Sequence, residues 1–146
     1  MQTTVRAALA ALALAGTALL PTAALAENLS FKADLNASSE VPPTDSKGTG
    51  TLTATYDTGS KALNYTANYS GLTGPANAAH FHGPATAGQN AGIVVPVNGS
   101  VESPIKGSAT LTEQQAADLT AGRWYFNIHT AANKGGEIRG QVVKAP

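Results

Sequence analysis

Apolar and polar side chains alternate through most of the chain beyond residue 30, and a strict period of two is a spacing that only an extended strand turns into one wet and one dry face. Phe31-Lys32-Ala33-Asp34-Leu35-Asn36-Ala37 is apolar at odd positions and polar at even ones. Thr51, Thr53 and Thr55 alternate with Leu52, Ala54 and Tyr56, and after Asp57-Thr58-Gly59-Ser60 the pattern resumes at Leu63, Tyr65, Ala67 and Tyr69. Two such runs joined by a short polar Gly-containing turn predict a β-hairpin. Further strands are expected over Ala78–His82, Ile93–Val97 and Ile105–Leu111, with Gly71-Leu72-Thr73-Gly74-Pro75 as a turn and Val41-Pro42-Pro43 as a loop, because proline cannot donate to a ladder.

One stretch breaks the rule. Thr112-Glu113-Gln114-Gln115 has the form of a capping box, and Ala116, Ala117 and Leu119 continue a helical spacing until Gly122. It predicts a single short crossover helix. Beyond it, Trp124, Phe126 and Ile128 share one face of a strand, while Tyr125, Asn127 and His129 share the other. Ile138 and Val142 then alternate with Glu137, Arg139 and Gln141. About eight short strands with turn signals between them predict an all-β fold: an antiparallel, Greek-key β-sandwich of immunoglobulin-like form.

The beginning of the chain follows a different logic. Arg6, an apolar stretch from Ala7 to Leu20, Pro21 and the small-x-small step Ala24-Leu25-Ala26 read as a signal peptide over residues 1–26, which leaves one domain over residues 27–146. Gly16, Thr17 and Pro21 interrupt the stretch, so it falls short of the roughly 20 apolar residues that span a bilayer. The expected location is the periplasm or the exterior, with no transmembrane segment after cleavage. Lys plus Arg equal Asp plus Glu at nine each. That balance gives no basic surface for a nucleic acid. Cysteine is absent, so no disulfide forms and any metal must be held by nitrogen and oxygen.

The three histidines are the candidates for chemistry. His80 and His82 are two apart on a predicted strand, so they leave one face about 6.5 to 7 Å apart at the backbone, within reach of one ion. With Phe81 buried against Trp124 and Phe126, His129 emerges on the same side. Imidazoles without thiolate suit copper(II) or zinc. Pairing Ile128 with Ile138 sets Asn127 opposite Arg139, Tyr125 opposite Gln141 and His129 opposite Glu137, which makes Glu137 a fourth ligand or a group that orients His129. Arg139 and Glu137 also read as an ordinary exposed cross-strand ion pair. No catalytic or organic-cofactor residue is assigned.

Glu40-Val41-Pro42-Pro43, Gly71-Leu72-Thr73-Gly74 before Ala79-His80-Phe81-His82-Gly83-Pro84-Ala85, and Asn127-Ile128-His129-Thr130-Ala131-Ala132-Asn133 before Gly135-Gly136-Glu137-Ile138-Arg139-Gly140-Gln141 together resemble the CHRD (chordin-domain) family in its single-domain exported bacterial type. Phe81 stands where a smaller aliphatic residue is expected. The resemblance implies an immunoglobulin-like sandwich and no settled activity. In chordin the repeats belong to an extracellular antagonist of growth factors, a partner that does not transfer to a lone domain. The expected function is an exported binding module that takes up copper or zinc. Two alternatives stand beside it. One is a copper-dependent redox enzyme on a superoxide-dismutase-like sandwich, against which three histidines are too few for that enzyme's two metal sites. The other is a structural or adhesive domain without metal.

Overall fold

The computed structural model describes residues 25–146, so the signal peptide expected over residues 1–26 lies, up to residue 24, outside the described residues. The alternating runs become β1 (Asn28–Asn36), β2 (Thr49–Asp57), β3 (Ala62–Ser70), β4 (Ala76–His82), β5 (Ile93–Pro96), β6 (Ile105–Thr110), β7 (Trp124–Thr130) and β8 (Ile138–Lys144). In β2 the pattern is followed residue by residue: Leu52, Ala54 and Tyr56 are buried and Thr51, Thr53 and Thr55 are exposed. The β2–β3 hairpin forms as expected, with Tyr56 opposite Leu63 and Leu52 opposite Ala67.

The strands form one antiparallel sheet of eight in the order β5-β4-β7-β8-β1-β2-β3-β6. The sequence reading expected two packed sheets. Here a single ladder coils on itself until it is nearly a barrel, which still gives the apolar faces something to pack against. Tyr65 of β3 meets Phe81 of β4 edge-on with ring centroids 5.0 Å apart, although four strands separate β3 from β4 in the sheet. Phe81 also meets Phe126 at 4.8 Å and Trp124 at 5.8 Å. Around them Phe31, Leu35, Leu52, Leu63, Ile105, Ile128, Ile138 and Val142 complete the core. Each large side chain contributes roughly 1.5–3 kcal/mol by leaving water. Gly107 of β6 has no side chain because a Cβ there would come within 2.3 Å of the Tyr65 hydroxyl.

The helix, α1 (Glu113–Thr120), carries the predicted capping box: Thr112 Oγ1 accepts from the Gln115 amide at 3.2 Å and Gln115 Oε1 accepts from the Thr112 amide at 2.9 Å. It leads from β6 at one edge of the sheet to β7 in the opposite half. Leu111 and Leu119 anchor it to the core. Gln115 Nε2 donates to the Val94 carbonyl of β5 at 3.2 Å, so α1 bridges the two edge strands and satisfies part of an edge that would otherwise be open. No helix among the described residues is long and apolar enough to cross a membrane.

Candidate metal centre

The terminal hairpin sets the site. Its register pairs Ile128 with Ile138, Asn127 with Arg139 and Tyr125 with Gln141. On the other side β4 pairs with β7, with Phe81 opposite Phe126, His80 opposite Asn127 and His82 opposite Tyr125. Because Phe81, Phe126 and Ile128 point into the core, the alternation turns His80, His82, Tyr125, Asn127, His129 and Arg139 to the opposite face. That face is also covered: every residue of β7 is buried. The segments after β1 and β4 fold over it and bring a layer of polar groups with them.

In this layer one ring nitrogen from each of His80, His82 and His129 lies within 4.8 Å of the others. His80 Nδ1 is 3.1 Å from His129 Nε2. His82 Nδ1 lies 2.9 Å from the Ala91 carbonyl and His129 Nδ1 lies 2.9 Å from the Lys134 carbonyl. A carbonyl only accepts, so both rings carry a hydrogen on Nδ1, which leaves Nε2 as the nitrogen that each turns to the cluster. His82 Nε2 is buried and has no hydrogen-bond partner among the described residues. Leaving an acceptor in that state costs about 1–3 kcal/mol unless something outside the chain satisfies it. Burial and the facing rings of His129 and His82 push the His80 imidazole down to about 4, and burial lowers His82 as well. Both shifts favour the neutral form that a metal requires. His80 is only half-buried and gives the cluster its way to solvent.

Tyr125 braces His82. Their rings are stacked at 4.8 Å and 2°. The Arg139 guanidinium lies over the same Tyr125 ring with its Cζ 3.4 Å from the centroid. The sequence reading of Arg139 as an exposed ion-pair partner is overturned. Arg139 is 2 % exposed and its guanidinium donates to Asn90 Oδ1 and to the Gln89 carbonyl. Its planar fork suits one face to an aromatic ring and its edge to oxygen acceptors.

Glu137, expected as a fourth ligand or as a partner of His129, is engaged elsewhere. Its carboxylate accepts from Ser46 Oγ at 2.6 Å, from Thr73 N and Oγ1 at 2.7 Å, from Asn133 Nδ2 at 3.0 Å and from Thr130 Oγ1. Burial alone would raise this carboxyl, but the donors from Ser46, Thr130 and Thr73 outweigh it and hold it down at about 2. Glu137 ties the loops after η-turn residues 37–39, β3 and β7 into one knot, and the Lys134 carbonyl takes the role on His129 that was assigned to it.

Glu40 had no role in the sequence reading beyond the Glu-Val-Pro-Pro resemblance. It is 4 % exposed, its Oε1 has no partner among the described residues, and burial raises its carboxyl to about 7 against the opposing pull of Arg139. Gly136 lies against it with φ +126, where an added Cβ would come within 2.2 Å of Glu40 Oε1. A cleft of about 650 Å³ runs between Glu40–Ser46 and Ala132–Gly136 and does not include the histidines.

Comparison with curated proteins and with solved structures finds no match. The sequence profile of the CHRD domain matches residues 31–142, a span that runs from β1 through β8 and includes all three histidines. The chain belongs to the CHRD domain family.

Proposed function

We propose that this chain is an exported binding module that holds a copper(II) or zinc ion at His80, His82 and His129. The observation that carries this reading is His82 Nε2, a buried ring nitrogen without a partner, set beside two other imidazoles while its Nδ1 is tied to a backbone carbonyl. Metal-binding histidines are oriented in this way, by a carbonyl or carboxylate on the nitrogen that does not face the ion. All-nitrogen donors of this kind suit copper(II) and zinc. Export rests on the leader pattern of residues 1–26 and on the absence of cysteine. We also read the coiled sheet as an immunoglobulin-like arrangement in which β5-β4-β7-β8 and β1-β2-β3-β6 face each other as two layers, a reading supported by the Tyr65–Phe81 contact across them.

Calorimetric titration of the purified chain with zinc or copper(II), alongside the variant carrying His80→Ala, His82→Ala and His129→Ala, tests the site. One ion per chain is expected for the wild type. Binding no tighter than that of the triple variant ends the proposal. Elemental analysis of natively purified protein identifies the ion, and N-terminal sequencing of material from the periplasm or medium is expected to begin at Glu27.

A further inference from the structure

A fourth polar side chain lies against the imidazole cluster. Asn127 is 2 % exposed, sits directly opposite His80 in the β4–β7 ladder and two residues before His129 on β7, and so shares their face. Its Oδ1 is 2.9 Å from His129 Nε2. The orientation of the amide follows from what flanks its other end: Nδ2 faces the Gly135 carbonyl at 3.5 Å, and it borders, with Glu40 Oε1, the space where a Gly136 Cβ would sit. The Gly135 carbonyl only accepts, so the NH2 group belongs on that side and the amide oxygen belongs on the histidine side.

His129 carries a hydrogen on Nδ1, facing the Lys134 carbonyl, and turns Nε2 toward Asn127 Oδ1 at 2.9 Å. Lone-pair atoms at that distance share a positive charge, either a proton on Nε2 or a metal ion in its place. His80 Nδ1 stands 3.1 Å from the same Nε2. Ligands about 2.0–2.1 Å from a common ion, at angles between square-planar and tetrahedral, lie about 2.8–3.4 Å from one another. Both separations fall in that range. The three imidazoles each bring one nitrogen to within 4.8 Å of the others.

We infer that Asn127 Oδ1 is the fourth donor of this site, completing three imidazole nitrogens with one amide oxygen. The inference rests on the metal reading above and deepens it, because an amide oxygen is a hard donor that favours divalent zinc and copper(II) and adds little for soft copper(I). The site is thereby a receptor for the oxidised ion, and Asn127 sets that preference.

Competition titrations of the full chain with zinc, copper(II) and copper(I), for wild type, Asn127→Ala and Asn127→Asp, test it. Asn127→Ala is expected to weaken zinc and copper(II) by about tenfold or more, in the range seen when groups around a metal site are removed, and to leave copper(I) within about twofold. Asn127→Asp, which restores an oxygen of the same reach, is expected to hold zinc at least as tightly as wild type, and it carries the test if the alanine variant does not fold. Wild-type zinc affinity in Asn127→Ala overturns the inference. So does an equal loss for copper(I) and zinc, which marks a residue that only positions the histidines, and so does weakened zinc binding in Asn127→Asp. A wild-type chain that binds none of the three ions instead removes the metal reading itself.

Discussion

The outer faces of β1–β2–β3 and of β4–β7–β8 are built on the same alternation and meet opposite fates. On the first, Lys32 and Asp34, Thr51, Thr53 and Thr55, and Asn64 and Asn68 all lie in water. On the second, His82, Tyr125, Asn127, His129 and Arg139 are buried beneath the segments that follow β1 and β4. A polar side chain facing solvent needs no partner from the protein, whereas one removed from water needs a partner or leaves its desolvation uncompensated. The second face meets that demand with backbone carbonyls of Gln89, Ala91 and Lys134 and with the five hydrogen bonds to Glu137. It leaves two atoms unserved, His82 Nε2 and Glu40 Oε1. Two faces built on one alternation therefore differ: the first has its polar groups served by water, and the second concentrates uncompensated lone pairs in a dry place.

The contrast breaks most visibly at Glu137. Glu137→Gln turns an acceptor of five hydrogen bonds into a group that meets the hydroxyls of Ser46, Thr73 and Thr130 with an NH2, and it is expected to cost about 3 kcal/mol in urea or thermal unfolding near neutral pH. The carboxyl is held at about 2 against an ordinary 4.5, so its contribution is complete above pH 4.5 and is lost as pH falls through 2. Wild type and variant should therefore converge across that window; a difference below 1 kcal/mol at pH 7 would remove Glu137 as the tie among the loops. Gly136→Ala comes next. It places a methyl group within 2.2 Å of Glu40 Oε1 at φ +126, and a loss of about 2 kcal/mol is expected by the same measurement. A variant as stable as wild type would mean that the loop over Glu40 yields freely.

Which parts of this were legible beforehand follows from the range of the interactions involved. Strand positions, the Thr112–Gln115 cap and the Ile128–Ile138 register are set by neighbours in sequence or by matching two short apolar faces, and alternation alone reports them. The same alternation puts His80, His82 and His129 on one face, and the structure brings their nitrogens together. Alternation says nothing about what lies above a face. Arg139 was read as exposed because its partners, Gln89 and Asn90, come from a loop without any period, about 50 residues away. Glu137 was assigned to His129 because the register places them near each other, but Ser46 and Thr73 reach it from 91 and 64 residues away. Whether eight strands close as two sheets or coil as one depends on twist summed over the whole ladder, to which no single residue is a guide.

Glu40 sharpens the comparison with a sign of its own. Burial raises its carboxyl from 4.5 to about 7, so between those values the folded chain holds a proton that the unfolded chain has released. Stability then falls as pH rises through that interval, and above 7 the loss is complete. Glu40→Gln in chelator-treated protein is expected to unfold about 1–2 kcal/mol less readily than wild type at pH 8, and about equally at pH 4. Parallel pH profiles for the two proteins would show that Glu40 is solvated and that this part of the layer is wet.

The smallest effect tests the other side of the comparison. Thr53 stands on the exposed face of β2, opposite Lys32 on β1 and Thr66 on β3, with its methyl and hydroxyl both in water. Thr53→Val keeps the β-branched shape that suits a strand and removes only the hydroxyl. If this face relies on water for its partners, the change should stay within about 0.5 kcal/mol in equilibrium unfolding, because nothing in the protein is left unpaired. The hydroxyl of Thr130, bound to Glu137 and fully buried, offers the opposite case: Thr130→Val should cost several times more, since it strips a donor from a carboxylate that water does not reach. Equal costs at the two threonines would mean that the covered face is as well hydrated as the open one, and the distinction between them would fall with it.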